Sequence, residues 1–298
     1  MLSGEYAVLY GGMSVLLPVP RYLEFSEIDS GAVQKYSPVV SEAINLDIPA
    51  IAAFETAHGR PAININNNDF YMKDDTGNRL KLGLGSSAAE AVGVVKLRLK
   101  RAGYDLVADI SPLMKYAYMA HDKAQGGIGS GADVAACALA CPIKFSSKFD
   151  IEQNRVDRYV AGFKLEYQYT LNLLWTGIAA DTRAMVKQFG GWYHSQPDKA
   201  KAMVGQLKSA ADHLAEKWFM VPELELYEAL DEFNIIMNDC AYEAAISYSL
   251  PIHHQIEAWA RSHGGRAKPT GAGGGDMILL IGDLPVAELN YPIIPLKF

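Results

Sequence analysis

A glycine- and serine-rich segment, Gly83-Leu84-Gly85-Ser86-Ser87-Ala88, has the composition of a phosphate-binding loop. Glycines let a backbone approach a ligand closely, and serine hydroxyls cap helices. A helix that begins near Ser86 would point unpaired N–H groups and a partial positive charge at an anion. The segment lacks the Gly-Lys-Ser/Thr of a P-loop nucleotidase and the Gly-x-Gly-x-x-Gly of a dinucleotide fold. Taken alone, it is explained equally well by a plain turn that caps a helix.

A second glycine-rich segment, which includes Gly271, Ala272, Gly273 and Gly274, lies near the carboxyl end of the chain. Ordering a glycine in regular structure costs about 1 kcal/mol more than ordering an alanine. A folded protein therefore seldom keeps such a loop without a use for it. The apolar run Met277–Ile281 follows at once, which argues against a flexible linker.

Asp133 is the candidate for chemistry, because it follows a Gly/Ser-rich run that contains Ser130. At the first turn of a predicted helix of small residues, its carboxylate could accept or orient a proton. An acidic residue also suits this position for purely structural reasons, since carboxylates are stabilised at helix N-termini. The residues alone leave both interpretations open.

Predicted helices and strands must position these loops. The helices are expected from Ser86 to about Lys100, and over Ser111–Gln125, Asp181–Phe189, Pro197–Lys217 and Glu223–Ser247. The strands are expected over Tyr6–Tyr10, Ser14–Pro18, Tyr22–Ile28, Ala62–Ile65 and Tyr169–Trp175, with a turn over Lys73–Arg79 and a last α/β stretch over Pro251–Asp283.

This mixture of strands and helices in two halves predicts an α+β protein of two domains. The sequence becomes polar between residues 145 and 165. We therefore expect one domain over residues 1–150 and another over 151–298. Aromatic residues within the long helices, such as Trp218, Phe219 and Tyr227, are expected in the core.

Composition narrows the classes of function. The 298 residues include 27 Lys+Arg and 34 Asp+Glu, which gives a formal net charge of −7. Nucleic-acid and membrane-surface binding both need concentrated positive charge, so neither is expected, and no apolar run reaches the length of a membrane span. Three cysteines without zinc spacing predict reduced thiols in a cytoplasmic protein. A homodimer is allowed by the sequence but not indicated by it.

Three motifs in order resemble those of the GHMP kinases, a superfamily named for galactokinase, homoserine kinase, mevalonate kinase and phosphomevalonate kinase. They are Ser3-Gly4-Glu5-Tyr6-Ala7-Val8-Leu9, Gly83–Ala89 and Lys268–Asp276, and the resemblance covers nearly the whole chain. Within the superfamily the sequence is most similar to phosphomevalonate kinases. Tyr6 stands where mevalonate kinases usually carry His, and the third motif ends Gly-Gly-Gly-Asp. The segment Asp181–Val186, however, is as similar to mevalonate kinases as it is to phosphomevalonate kinases.

The resemblance implies an N-terminal domain like ribosomal protein S5 domain 2, a ferredoxin-like C-terminal domain and an active site in the cleft between them. It implies ATP and Mg²⁺ as cofactors and a small phosphorylated or hydroxy-acid substrate. The activity implied is phosphorylation of 5-phosphomevalonate to 5-diphosphomevalonate, with mevalonate phosphorylation as the alternative. A non-catalytic metabolite-binding protein of the same fold is a third interpretation.

Residue roles follow from the same resemblance. Gly83–Ala88 would surround the ATP phosphates, with Ser86 or Ser87 as a phosphate or Mg²⁺ contact and Asp122 as a second metal ligand. Asp133 would be a general base or an electrostatic anchor. Substrate contacts would come from Glu5, Tyr6, Ser130, Thr182, Arg183, Gly271, Ala272, Gly273 and Gly274.

One family feature has no counterpart here. Family members normally carry Pro-Gly-Lys on a strand a few residues before the Gly-Glu motif, and that lysine lies near the transferred phosphate. No such segment precedes Ser3 in this sequence. We therefore expect either a clipped sequence or another cation in its place.

Overall fold

The computed structural model describes residues 1–28, 35–73, 77–127, 129–150 and 155–297. The chain divides into two compact units. Unit 1 comprises Met1–Pro20, Asp74–Gly83 and Cys141–Phe298, and unit 2 comprises Arg21–Lys73 and Leu84–Ala140. Along the sequence, the two segments of unit 2 are thus inserted into unit 1.

Helices and strands are numbered in chain order. The helices of the described residues are α1 (Pro38–Asn45), α2 (Ala52–His58), α3 (Ser86–Arg101), α4 (Ser111–Gln125), α5 (Ala132–Leu139), α6 (Thr182–Ser195), α7 (Pro197–Lys217), α8 (Glu223–Glu243) and α9 (Pro251–Ser262). The strands are β1 (Ser14–Leu16), β2 (Glu24–Ile28), β3 (Ala62–Asn66), β4 (Tyr71–Lys73), β5 (Arg79–Lys81), β6 (Ile143–Asp150), β7 (Arg155–Gly162), β8 (Leu171–Trp175), β9 (Arg266–Pro269), β10 (Met277–Ile281) and β11 (Ile293–Leu296).

Unit 1 contains two antiparallel sheets, with the strand orders β1-β6-β7 and β11-β8-β10-β9. Every residue of β8 and β10 is buried, as continuous apolar runs predict for central strands covered on both faces. Ile256 and Ala260 of α9 pack in one apolar cluster with Leu174 of β8 and Ile278 of β10. This core fixes the strand β10 that follows the second glycine-rich segment.

The first residues of the chain are built into unit 1. Ser3 bridges Val15 in antiparallel fashion, and the buried Trp218 indole donates a 3.0 Å hydrogen bond to the Ser3 hydroxyl. Ser147 of β6 donates to the Val8 carbonyl at 2.9 Å. The motif that contains Glu5 is therefore anchored by residues more than a hundred positions away.

Unit 2 packs α1, α3, α4 and α5 together, and its strands β2 and β3 pair antiparallel. Gly93 interrupts the apolar face of α3 because the Phe25 ring of β2 fills that space; an added Cβ would lie 2.1 Å from the ring. The fully buried Arg98 guanidinium binds both carboxylate oxygens of Glu55 at 2.7 Å. These contacts support α3, which carries the predicted phosphate loop at its N-terminus.

The α+β class is confirmed, and most predicted elements are present with shifted ends. The bounds of α4 and α7 are those predicted, and Trp218, Phe219 and Tyr227 are buried as expected. Helices α1 and α2 and strands β6, β7 and β11 were not anticipated from the sequence. None of the described helices is both long and apolar enough to cross a membrane.

The strand predicted over Tyr6–Tyr10 is wrong, because Ala7–Tyr10 is a 3₁₀ turn. The backbone is left-handed at Tyr6 (φ 56°) and at Gly11 (φ 83°), whereas a strand needs strongly negative φ. Residues 74–76 of the predicted turn Lys73–Arg79 and residues 151–154 at the predicted domain boundary lie outside the described residues. That boundary stays a prediction.

Candidate active site

The predicted phosphate loop leads directly into a helix, as its composition indicates. Gly83 and Gly85 both have left-handed backbones, with φ of 69° and 75°, and α3 begins at Ser86. The first hydrogen bond of this helix runs from the Ala89 N–H to the Gly85 carbonyl at 3.1 Å. The N–H groups of residues 86–88 therefore lack intrahelical acceptors and suit an anion.

Asp133 lies beside this loop in unit 2. A Cβ added to Gly85 would be 3.6 Å from the Asp133 Cβ, so the two predicted site segments are brought together. The Asp133 side chain is 44% exposed, and its Oδ1 accepts a hydrogen bond from the Val134 N–H at 3.0 Å. Its Oδ2 lies 3.8 Å from Nε2 of His121, which leaves an exposed carboxylate next to the loop.

His121 and Gln125 of α4 connect this carboxylate to the loop, and sequence reasoning missed both. His121 is 7% exposed, and its Nε2 lies 3.0 Å from the Ser87 hydroxyl. The Gln125 side-chain amide donates to the same hydroxyl at 2.9 Å. Their i, i+4 spacing on one helix face was the available signal. Three helices thus converge on Ser87 and Asp133.

Cys137 stands one helical turn after Asp133, and its thiol is not poised for nucleophilic chemistry. Burial, and next the charge of Asp133, raise the pKa of the Cys137 thiol to about 12. Because the thiolate is the reactive species, this side chain is an apolar neighbour of the site at neutral pH.

In unit 1, the first and third motifs meet. The Tyr6 hydroxyl donates a 2.9 Å hydrogen bond to the Ala272 carbonyl, and the Tyr6 ring packs 4.5 Å from the Phe189 ring of α6. Burial, reinforced by Glu5, raises the pKa of Tyr6 well above its ordinary value, so its hydroxyl stays a donor. The contact fixes the glycine-rich segment against the start of the chain.

The glycines of the third motif are required by close packing. Gly273 and Gly274 have φ of 75° and 74°. An added Cβ would lie 2.4 Å from the Tyr248 carbonyl at Gly273, and 2.7 Å from the Met185 sulfur at Gly274. At Gly271, by contrast, an added Cβ would meet open space.

Glu5 and Lys268 form a fully buried ion pair within unit 1. The Lys268 ammonium lies 2.5 Å from Glu5 Oε1 and donates to the Pro269 carbonyl at 2.6 Å. Both side chains have no exposed surface. The pair ties the first motif to β9, where the third motif begins.

Asp276, at the end of the third motif, was not among the predicted site residues. Its carboxylate occupies the space beside Gly83, where an added Cβ would lie 2.3 Å from Oδ2. Burial raises the pKa of Asp276, while the Ala180 N–H and the charge of Lys81 oppose that rise. The exposed Lys81 is a cation two residues before the phosphate loop. The acidic end of Gly-Gly-Gly-Asp and the lysine before Gly83 were the available signals.

Residues 48–140 match the family described as GHMP kinases N terminal domain. The chain is also 25% identical to phosphomevalonate kinase of Saccharolobus solfataricus, over 94% of this chain and 87% of that protein. These two matches confirm the resemblance to the GHMP kinases that the three sequence motifs predict.

Solved structures share the fold of this chain. Lin0012 from Listeria innocua matches with a TM-score of 0.78 and 20% identity, covering 100% of this chain and 97% of that one. Phosphomevalonate kinase of Streptococcus pneumoniae, in complex with phosphomevalonate and AMPPNP, matches with a TM-score of 0.73 and 21% identity, covering 94% and 89%. Mevalonate kinase of Methanococcus jannaschii matches at 0.64 and 14%, covering 99% and 94%.

Three further predicted site residues lie at, or just before, the starts of helices α6 and α5. Thr182 and Arg183 are exposed in the first turn of α6, which Asp181 caps by accepting from the Ala184 N–H at 3.0 Å. Ser130 accepts from the Ala132 N–H at 3.2 Å, at the start of α5. Their substrate-binding roles stay predictions.

The predicted magnesium ligands are Ser86, which is buried at the start of α3, and Asp122, which is half-buried on α4. Within the described ranges, no three His, Cys, Asp or Glu side chains converge on a point that could hold a metal ion. Mg²⁺ usually needs only one or two protein carboxylates, because substrate phosphates and water complete its octahedron. Ser86 lies at the start of α3, and the metal-binding roles of Ser86 and Asp122 stay predictions.

Proposed function

We propose that this protein is a GHMP kinase that transfers the γ-phosphoryl group of ATP to 5-phosphomevalonate, which yields 5-diphosphomevalonate and ADP. The observation that carries the proposal is the placement of Asp133 directly beside Gly85 at the N-terminus of α3. An accessible carboxylate next to an anion-binding helix end is what in-line phosphoryl transfer to an acceptor requires, since that reaction depends on positioning and charge stabilisation.

The donor nucleotide would bind at the loop. The backbone N–H groups of residues 86–88 would accept the phosphates, and Lys81 would offer a positive charge just ahead of Gly83. Ser86 and Asp122 would hold Mg²⁺, which when bound neutralises charge on the phosphates. Such a site does not need a full set of protein ligands, because phosphate oxygens and water complete the coordination of Mg²⁺.

The acceptor is the terminal phosphate of 5-phosphomevalonate. One of its oxygens attacks the γ-phosphorus, the bond to the β–γ bridging oxygen breaks, and ADP leaves with that electron pair. The second pKa of a phosphate monoester is about 6, so the acceptor is mostly deprotonated at pH 7. Asp133 would then chiefly orient the acceptor and take the residual proton, whereas an alcohol acceptor would depend on it as a base.

The proposed substrate contacts Tyr6, Ala272, Thr182 and Arg183 belong to unit 1. Tyr6 and Ala272 are hydrogen-bonded, and α6, which carries Thr182 and Arg183 at its exposed start, packs on this motif through Phe189. Arg183 is a suitable contact for a phosphate or carboxylate, because its guanidinium binds such groups in a bidentate manner. The relatives named phosphomevalonate kinase favour this substrate over mevalonate.

The test is an ADP-release assay with ATP and four acceptors: 5-phosphomevalonate, mevalonate, galactose and homoserine. We expect turnover with 5-phosphomevalonate and at least tenfold lower kcat/KM with the others, in line with the discrimination that binding a whole phosphate provides. Preferred turnover of mevalonate would replace this substrate assignment. Absence of turnover with all four would support a metabolite-binding role instead.

A further inference from the structure

The hydroxyl of Ser87 has an unusual hydrogen-bonding environment for a residue at an anion-binding helix start. Two side-chain nitrogens from α4 converge on it: His121 Nε2 at 3.0 Å and Gln125 Nε2 at 2.9 Å. A serine hydroxyl has one hydrogen to donate and two lone pairs to accept with. The Gln125 amide nitrogen can only donate, so it occupies one lone pair.

His121 occupies the second lone pair of the Ser87 oxygen. Its Nε2 also faces Asp133 Oδ2 at 3.8 Å, and a carboxylate neighbour favours a hydrogen on that nitrogen. An N–H at Nε2 donates to the Ser87 oxygen and fills its remaining lone pair. The hydroxyl hydrogen of Ser87 is then left to be donated to a ligand.

We propose that His121 is a positioning residue: with Gln125 it directs the Ser87 hydroxyl hydrogen toward the nucleotide phosphate, while its Nε2 lies 3.8 Å from the Asp133 carboxylate. This inference rests on the proposed function, because it assumes a phosphate at the start of α3. In this role, His121 links the position of the phosphate loop to the position of the Asp133 carboxylate. His121 itself contacts neither substrate.

Two substitutions separate this role from simple packing. In His121→Gln the side-chain amide nitrogen can occupy the position of Nε2, whereas in His121→Asn the shorter side chain cannot reach Ser87. We expect His121→Asn to lower kcat about 10- to 100-fold, because small misplacements of a reacting group cost up to about that much. His121→Gln should recover most of the loss. His213→Asn, an exposed position of α7, is the matched control and should match the wild type.

A double-mutant cycle with Ser87→Ala then tests the coupling. If His121 acts through Ser87, the double variant His121→Asn/Ser87→Ala loses no more kcat than the worse single variant. Multiplicative losses, or a His121→Gln variant as impaired as His121→Asn with an unchanged thermal midpoint, would overturn the proposal. Should His121→Asn fail to fold, Gln125→Met enters the same cycle, because it removes the other donor to Ser87.

Binding of AMPPNP by calorimetry distinguishes failure of this inference from failure of the proposed function. Loss of a hydrogen bond to a charged phosphate should weaken AMPPNP binding about tenfold in Ser87→Ala and in His121→Asn, without a further loss in the double variant. Equal AMPPNP affinity in all four proteins contradicts the positioning role. Wild-type protein that binds AMPPNP but turns over no acceptor contradicts only the proposed function.

Discussion

Replacing Lys268 by methionine tests whether the buried ion pair holds the first and third motifs together. The Lys268 ammonium makes two short contacts, 2.5 Å to Glu5 and 2.6 Å to the Pro269 carbonyl, and neither side chain of the pair is exposed. The other carboxylate oxygen, Glu5 Oε2, has no hydrogen-bond partner in the described part of the chain. Methionine keeps most of the lysine's length but leaves the Glu5 carboxylate buried without its cation.

The expected cost follows from that geometry. Removing one partner of a buried ion pair typically costs about 3–5 kcal/mol, because the remaining charge is uncompensated. For a unit of this size, such a loss lowers the unfolding midpoint by roughly 6–20 °C. Replacing both partners, in Glu5→Gln/Lys268→Met, should cost less than Lys268→Met alone because no unpaired charge stays buried.

The assay is urea unfolding at pH 7, followed by circular dichroism and by tryptophan fluorescence. Trp218, which contacts Ser3, reports on the same region. Lys199→Met is the matched control: its ammonium also lies 2.5 Å from a carboxylate, that of Glu243, but the lysine is 52% exposed. Removing an exposed pair should cost less than about 1 kcal/mol.

Two results would refute the reasoning about this pair. One is a Lys268→Met variant no less stable than Lys199→Met. The other is a double variant that is destabilised by the sum of the two single substitutions, since that additivity would mean that Glu5 and Lys268 do not interact.

Three further substitutions test the site and its surroundings. Asp133→Asn should lower kcat for ADP release with 5-phosphomevalonate up to about 10²-fold, because misplacing a reacting group costs about that much; an unchanged kcat would contradict the orienting role of Asp133. Gly83→Ala places a methyl group 2.3 Å from Asp276 at a backbone φ of 69°, so the KM for ATP should rise, whereas Gly190→Ala, in open space on α6, should leave it unchanged. Burial, then the charges of His254 and Lys268, lower the pKa of His253 to about 4. The unfolded imidazole therefore binds a proton near pH 6.5 and the folded one only near pH 4, so stability falls as the pH falls through this window. His253→Asn should show a smaller drop in urea midpoint between pH 7 and pH 4.5, and an equal drop would contradict the assignment.

The sequence predicts best what local chemistry determines. Pro112 at its first turn and Gly126 just after its end mark α4, and these signals act within a few residues. The phosphate loop is recognisable for the same reason, because the backbone N–H groups of glycines and serines at a helix start are themselves the anion-binding groups.

What the sequence does not predict depends on contacts between distant residues. Glu5 and Lys268 are 263 positions apart, and no local pattern indicates that a glutamate of the first motif is buried against a lysine. Ser87 and His121 are 34 positions apart on different helices. The left-handed Tyr6 is likewise held by its neighbours, because a tyrosine alone disfavours that conformation.

The distance along the chain between Glu5 and Lys268 has a consequence for synthesis. At about 5–20 residues per second, Lys268 is added roughly 13–50 s after Glu5. All residues of unit 2 have been made by Ala140, long before the partners of the first motif exist. Unit 2 is therefore expected to fold first on the ribosome. Leu2, Val8 and Val15, which are buried in the complete structure, should stay exposed to solvent until their partners have been synthesised. In chains arrested far enough beyond Ala140 for all of unit 2 to have left the ribosome, limited proteolysis should find unit 2 protected and the N-terminal segment cleavable.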